Sequence, residues 1–254
     1  IWKQKGLKSS KVFYCPISLL PTLSKIMESI IHSRLLSHLT ENHIISDRQA
    51  AYMKGDSTTN QLLYIVHQIR SAWQMGNICQ AAFMDVDGAF EKVWHLGLHA
   101  KLKQACITEN AFKLFQSYLS NRHQIVVVDG VKSDKKPLKA GIPQGSRLGP
   151  LLFILYINDI QKDLESEVLI YADDTSSLAF GPNPTETAAI LNRDVGKIDL
   201  WAKIWKVSFN SDKSRDMIFS EKSFDITPPL LLNNGIFKRV TVHKHLGLML
   251  ASNL

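Results

Sequence analysis

Three carboxylates offer this chain its chemistry. Tyr171-Ala172-Asp173-Asp174 sits inside the run Val168-Leu-Ile-Tyr-Ala-Asp-Asp-Thr-Ser-Ser-Leu-Ala-Phe180. A β-branched and aromatic run enters, two adjacent acids follow, and a second apolar run leaves. That order reads as a β-hairpin with the acids at or near its tip. Asp disfavours strand interiors, so the pair is either an Asp-rich turn or a pair of ligands. Alone, an Ala-Asp-Asp turn is ordinary. Adjacent carboxylates at a strand end repel each other, however, and invite a divalent cation. The third acid, Asp85, closes another apolar run, Gln80-Ala-Ala-Phe-Met-Asp85. It lies so far upstream that only the fold could bring it to the other two.

Periodicity outlines the elements that must do this positioning. Residues 81–86 read as a strand ending near Asp85. Leu23, Ile26, Met27, Ile30, Ile31, Leu35 and Leu39 recur at helical spacing and read as a core stripe. Ser57 or Thr58 caps a helix running to about residue 75, with Leu62, Leu63, Val66, Ile69 and Trp73 on one face. Phe112, Phe115, Tyr118 and Leu119 mark another core helix. Ile125-Val-Val-Val128 before Asp129-Gly130 is a hairpin signal. Lys132, Lys135, Lys136 and Lys139 on its return arm suit either a phosphate backbone or a solvated edge strand. Gly141-Ile-Pro-Gln-Gly-Ser146 makes a loop into a helix from about residue 148 to 164. Its glycines let the backbone approach a ligand, and Gln144 offers a neutral donor and acceptor. Asn183-Pro-Thr-Glu186 opens a helix to about residue 205, with Asn as cap, Pro first and Glu third. The sequence suggests one boundary, near residue 80, between a basic region 1–80 and a region 81–254.

The 254 residues allow one large domain or two small lobes, and 45% hydrophobic content supports a packed core. Net charge is +7, and residues 1–80 hold nine Lys or Arg against four Asp or Glu. A basic front on a nearly neutral body fits a phosphate backbone, although +7 is also compatible with an ordinary surface. Cys15, Cys79 and Cys106 are odd in number and lack metal-ligand spacing, which points to a reducing compartment without a disulfide framework. No apolar stretch approaches the ~20 residues of a membrane span. The chain opens at Ile1 without a signal-peptide layout and reads as a piece of a longer protein.

Asp85, then Gly141-Ile-Pro-Gln-Gly-Ser-Arg-Leu-Gly-Pro150, then Tyr171-Ala-Asp-Asp174 form a long ordered motif set, with far lower false-positive risk than one short motif. With them the chain resembles reverse transcriptases of non-LTR (LINE-like) retrotransposons, of the Jockey and CR1 groups, from about residue 16 to about residue 248. The resemblance implies an α+β fold: a right-hand polymerase palm, its antiparallel sheet carrying helices on one face, plus helical fingers. Residues 1–80 would be the fingers-like region and 81–254 the palm with a primer-grip hairpin. No thumb is expected within the chain.

The resemblance also assigns residues. Asp85, Asp173 and Asp174 become the catalytic carboxylates and, with Val86, the metal set. Hard oxygen ligands imply two Mg²⁺ ions, with Mn²⁺ as an alternative, roughly 3.5–4 Å apart for an in-line displacement. Phe90 would lie beneath the incoming sugar and exclude a 2′-hydroxyl, with ordinary packing as the structural alternative. Gln144 is assigned to the nucleotide pocket, and Lys213 to the leaving pyrophosphate through Val207-Ser-Phe-Asn-Ser-Asp-Lys213. Gly141, Pro143, Gly145 and Tyr171, with Leu246 and Gly247 of His243-Lys-His-Leu-Gly-Leu-Met-Leu250, would meet template and primer. His243 and His245 suggest a metal pair, but neighbouring strands and the family argue against one. His95 reads as helix-terminal or surface. The segment Arg48-Gln-Ala-Ala-Tyr-Met-Lys-Gly-Asp-Ser-Thr-Thr-Asn60 matches a Phe-Arg-x-Gly-x-Ser-Thr pattern through Tyr52, Gly55, Ser57 and Thr58.

The expected activity is RNA-directed DNA polymerisation: dNTPs extend a DNA primer on an RNA template. In the family this starts at a nick in chromosomal DNA. That implies a separate endonuclease; a thumb elsewhere in the full-length protein, an intracellular setting and the nucleus as point of action are expected from the family. Three departures stand out: Cys15 and Met53 where Arg is usual, and Glu91 where Asp is. Glu91 is not a metal ligand in the family, but Cys15, Met53 and the missing thumb motivate an alternative, a decayed or domesticated relic that binds RNA or DNA without catalysis; the retained carboxylate trio argues against it. A metal-dependent cyclase on a similar sheet fails to explain residues 141–150 or the primer-grip match.

Overall fold

A computed structural model describes residues 17–53, 55–128, 130–232 and 235–254. In chain order the first elements are α1 (Thr22–Glu41), α2 (Thr58–Gln74), β1 (Ile78–Asp85), α3 (His95–Gln104) and α4 (Glu109–Leu119). The short strands β2 (His123–Gln124), β3 (Val127–Val128), β4 (Val131–Lys132) and β5 (Lys136–Pro137) precede α5 (Leu148–Ile157). Then come β6 (Glu167–Tyr171), β7 (Asp174–Gly181), α6 (Pro184–Trp205) and β8 (Arg215–Phe219). Last are β9 (Leu231–Leu232), β10 (Gly235–Ile236), β11 (Lys238–Arg239), β12 (Val242–His245) and β13 (Leu248–Ala251). No helix among the described residues is long and apolar enough to cross a membrane. Cys15 lies outside the described residues.

Contacts group the chain into two units. One holds residues 17–44 and 90–156, the other residues 45–89 and 157–254. The functional partition expected at residue 80 cuts across both.

The second unit is a five-stranded sheet in the order β11-β8-β1-β7-β6. Its strands are antiparallel except β11, which runs parallel to β8, so the sheet is mixed where an antiparallel one was expected. β1 runs through its centre and is buried from Ile78 to Met84. Because Ile78-Cys-Gln-Ala-Ala-Phe-Met84 does not alternate with exposed polar residues, both faces of the strand must be covered. Leu62, Ile65 and Ile69 of α2 pack with Cys79, Ala81 and Phe83 on one face. Across the other face, Thr187 of α6 donates to Gln80 Oε1 at 2.7 Å. Helices therefore cover both faces, a correction to the expectation of one. Caps set where these helices begin. Ser57 Oγ accepts from Asn60 N at 3.1 Å, and Asn183 Oδ1 accepts from Glu186 N at 3.0 Å.

The first unit is helical, with small exposed β-ribbons between α4 and α5. Here the α1 stripe departs from expectation. Leu35 and Leu39 are buried, but Leu23, Ile26, Met27 and Ile30 are exposed. Glu28 is the residue this half of α1 buries; it accepts from Arg147 N at 2.7 Å and from the Tyr118 hydroxyl at 3.4 Å. Satisfying the open N-terminus of α5 with a carboxylate turns the polar side of α1 inward. α5 also stops at Ile157, short of the expected residue 164. Asn158 and Asp159 end it: their side chains accept from Ser46 N and Trp201 Nε1, at 2.9 and 2.8 Å, and Asx residues favour such turns over helix.

Candidate active site

Strand register brings the three acidic residues to one end of the sheet. β1 and β7 pair so that Asp85 and Asp174 are direct partners, the last pair of the ladder. β6 and β7 join through a two-residue turn, Ala172-Asp173, closed by the Tyr171–Asp174 pair. Asp173 is thus at the hairpin tip and Asp174 one residue into the strand. A two-residue hairpin with φ > 0 at its first central position normally uses glycine there. Here that residue is Ala172, at φ 55°. A non-glycine residue in the left-handed region is held there by its surroundings.

The end of β1 is fixed by the segment after α6. Val86 bridges Phe209, and Asp87 N donates to Ser208 O at 2.7 Å. Asn210 N donates to Asp85 O at 2.9 Å, and Asp85 N donates to Ser214 Oγ at 3.3 Å. Ser214 Oγ in turn donates to Asn210 O at 2.8 Å. Asn210 Oδ1 also accepts from Lys213 N at 3.2 Å. This wrapping carries Lys213 to the site, where its Nζ lies 3.0 Å from Asp85 Oδ2. The loop lysine assigned to pyrophosphate therefore stands against a carboxylate.

Electrostatics at the tip show a deficit of positive charge. Burial raises the Asp173 carboxyl above the usual range, and the Asp85 charge adds to this while Lys213 opposes it. Asp174 is pushed up to about 6, by burial first, then by Asp173 and Asp85. Like charges so placed favour protonation unless a cation joins them. The donor set is all carboxylate oxygen, which fits a hard divalent cation. Among the described residues, no three His, Cys, Asp or Glu side chains stand as a ready-made metal cluster. The Asp85 carboxylate instead takes the Lys213 ammonium.

Further residues at this tip had no assigned role in the sequence. Tyr52, matched only to a helix-opening pattern, has φ 59°, and burial followed by the negative charge of Asp173 raises its phenol. Gln49 is buried and its Oε1 accepts from Ala172 N at 3.3 Å. Asn210 and Ser214 hold the Asp85 backbone. No spacing signals these contacts, because each spans a long stretch of sequence. At the β12–β13 hairpin, the turn residues Leu246 and Gly247 have φ 47° and 90°. Leu246 packs on the core, whereas Gly247 is exposed. His243 and His245 lie on Phe83 with ring centroids at 4.5 and 4.8 Å.

The remaining assigned residues belong to the helical unit. Phe90 is half-buried and stacks on Phe153 at 5.0 Å between centroids. Gly141 N donates to Val93 O and Ile142 N to Phe90 O, both at 2.8 Å, so the loop is laddered to the segment holding Phe90. Gly141 has φ 89°, and a Cβ there would meet Glu91 O at 2.7 Å, so only glycine fits. His95, the first residue of α3, holds Gly141 O through Nε2 at 2.7 Å, which gives it a structural role. Pro143 is buried and Gly145 exposed. Gln144 O accepts from Ser18 N at 2.8 Å. Ser146 Oγ then accepts from Gly149 N at 2.8 Å and caps α5.

Comparison with known proteins joins this geometry to a family. Residues 6–248 match the family described as reverse transcriptase (RNA-dependent DNA polymerase). The probable RNA-directed DNA polymerase from transposon X-element of Drosophila melanogaster is 33% identical over 246 residues, 95% of this chain and 27% of that protein. The RNA-directed DNA polymerase from mobile element jockey of the same species is 33% identical over 249 residues, again 95% of this chain and 27% of that protein. The chain thus spans about a quarter of the length of these relatives. Apo telomerase from Candida tropicalis, truncated from its C-terminal domain, superposes with a TM-score of 0.55 at 15% identity, over 80% of this chain and 41% of that one. That likeness concerns the fold, an α+β polymerase palm. With the family matched over nearly its whole length, the chain belongs to the reverse transcriptases, a family that depends on divalent metal.

Proposed function

We propose that this chain is the polymerising region of a non-LTR retrotransposon reverse transcriptase, adding dNTPs to the 3′-hydroxyl of a DNA primer on an RNA template. The observation that carries the reading is the Asp85–Asp174 register pair with Asp173 beside it in the turn. Family membership supplies the reaction class. Asp85, Asp173 and Asp174, with Val86 just after β1, would hold two Mg²⁺ ions, or Mn²⁺ in their place. When bound, these ions supply an acidified primer hydroxyl and neutralise charge on the leaving oxygens.

The chain's own residues do the positioning, which is most of phosphoryl transfer. The β1–β7 ladder sets the spacing of the acids. Lys213 balances Asp85 before substrate arrives and is long enough to swing to a pyrophosphate. Phe90, braced by Phe153, would present a flat ring to the incoming sugar and leave no room for a 2′-hydroxyl. Gln144 would contact the nucleotide; Gly141, Pro143, Gly145, Tyr171, Leu246 and Gly247 would meet template and primer. Endonuclease and thumb regions belong to the longer protein, whose point of action would be the nucleus.

Primer extension tests this reading. A DNA primer on an RNA template should lengthen with dNTPs and Mg²⁺ and stop on adding EDTA. Binding of the duplex with no extension in either metal would mark a non-catalytic relic and refute the proposal.

A further inference from the structure

Between α1 and α2 a strap of chain, residues 46–51, reaches the turn that carries Asp173. Ile170 N donates to Arg48 O at 3.0 Å and Ala50 N to Ile170 O at 3.1 Å, with Gln49 in a parallel bridge to Ile170. The strap thereby lines the outer edge of β6, the last strand of the sheet. It is anchored on both sides of Gln49. Ser46 N donates to Asn158 Oδ1 at 2.9 Å, while Arg48 pairs with Glu167 and donates to the Tyr64 hydroxyl at 2.7 Å. Tyr64 in turn donates to Glu167.

The Gln49 side chain is only 2% exposed. Its Oε1 accepts from Ala51 N at 2.9 Å and from Ala172 N at 3.3 Å. Its Nε2 has no hydrogen-bond partner among the described residues. The amide is therefore used as an acceptor, and the backbone group it takes belongs to the one residue of the catalytic turn in the left-handed region, Ala172 at φ 55°. An alanine in that conformation is kept there by contacts from outside the turn. Gln49 supplies such a contact from a strap that is itself tied down.

We propose that Gln49 is a positioning residue for polymerisation: its buried carbonyl, taking the Ala172 N–H, holds the turn in the conformation that presents Asp173 and Asp174. This rests on those two acids being the catalytic carboxylates. A small misplacement of catalytic groups can cost orders of magnitude in rate, whereas substrate grip elsewhere is untouched. Loss of Gln49 therefore lowers the maximal rate and leaves binding alone.

The test uses Gln49→Met, which fills the space without an acceptor. In single-turnover extension, Gln49→Met should slow incorporation at least tenfold, with the dNTP concentration for half-maximal rate and primer–template affinity changed less than twofold. Adding Ala172→Gly should rescue Gln49→Met to within about threefold, because glycine adopts positive φ without strain. Without metal or substrate, the Ala172 amide should exchange its hydrogen at least tenfold faster in Gln49→Met than in the parent. Parent-like rate and exchange in Gln49→Met would overturn the proposal. So would a Gln49→Met protein that fails to fold even alongside Ala172→Gly, which would make Gln49 a folding residue. Asp173→Ala, run in parallel, separates the two levels. If it still extends primers, the catalytic reading fails and the exchange result alone decides whether Gln49 holds the turn. If it is dead while Gln49→Met is unimpaired, only the Gln49 assignment fails.

Discussion

Removing one negative charge from the carboxylate tip should stabilise the metal-free protein. Asp174 pairs with Asp85 across the ladder and adjoins Asp173, and its carboxyl is raised from 3.8 to about 6. A group whose folded pKa is raised contributes stability that is present below its unfolded pKa and lost as pH rises through the folded one. The window is therefore about pH 4 to 6, and above it the ionised acid is a burden. Each tenfold in acidity is worth about 1.4 kcal/mol, so the displacement sets a ceiling of about 3 kcal/mol. Asp174 is nonetheless an exposed residue, and solvent screening reduces that to roughly 1 kcal/mol. For a chain of 254 residues this is about 2–4 °C in Tm. Asp174→Asn should thus melt about 2–4 °C higher than the parent at pH 7.5 in EDTA and nearly level with it at pH 4. Added Mg²⁺ should raise the parent's Tm more than the variant's, closing the gap. Equal melting temperatures in EDTA at pH 7.5, or the same gain at both pH values, would refute the electrostatic account of the tip.

Two further outcomes follow from the same geometry. Phe90→Ala should raise ribonucleotide use relative to deoxyribonucleotide in competition assays; an unchanged ratio would mean that the Phe90–Phe153 stack is packing alone. His245 is 5% exposed, and burial, then His243, lowers its pKa to about 4. It faces Phe83 and His243, and His243 in turn feels the Arg215 charge. With a depressed folded pKa, its stability contribution is intact above pH 6.5 and lost as pH falls toward 4. The parent should lose on the order of 3 kcal/mol across that window from this group, read from urea midpoints, and His245→Leu should flatten the slope.

Much of the site is written in local pattern. The caps at Ser57 and Asn183 follow from residue type and spacing, because a cap is a contact three residues long. The hairpin at 167–181 and the strand ending in Asp85 show as apolar runs closed by acids. What the sequence does not show is which face each run presents. The α1 stripe has the spacing of a core helix, yet the Glu28 carboxylate wins the inward position by serving Arg147 N. β1 lacks alternation, and that was the available sign that helices cover both sides of the sheet. The ties of Gln49 to Ala172 and of Asn210 and Ser214 to Asp85 bridge distant segments. Hydrogen bonds of that reach depend on the completed sheet and leave no periodic trace.

The most direct test of the central claim is nucleotide incorporation by Asp173→Ala on a DNA primer and RNA template with Mg²⁺. The variant should fold, since removing an acid relieves repulsion at the tip, and should add no nucleotide. Extension at a rate near the parent's would contradict the assignment of the β6–β7 turn as the catalytic centre.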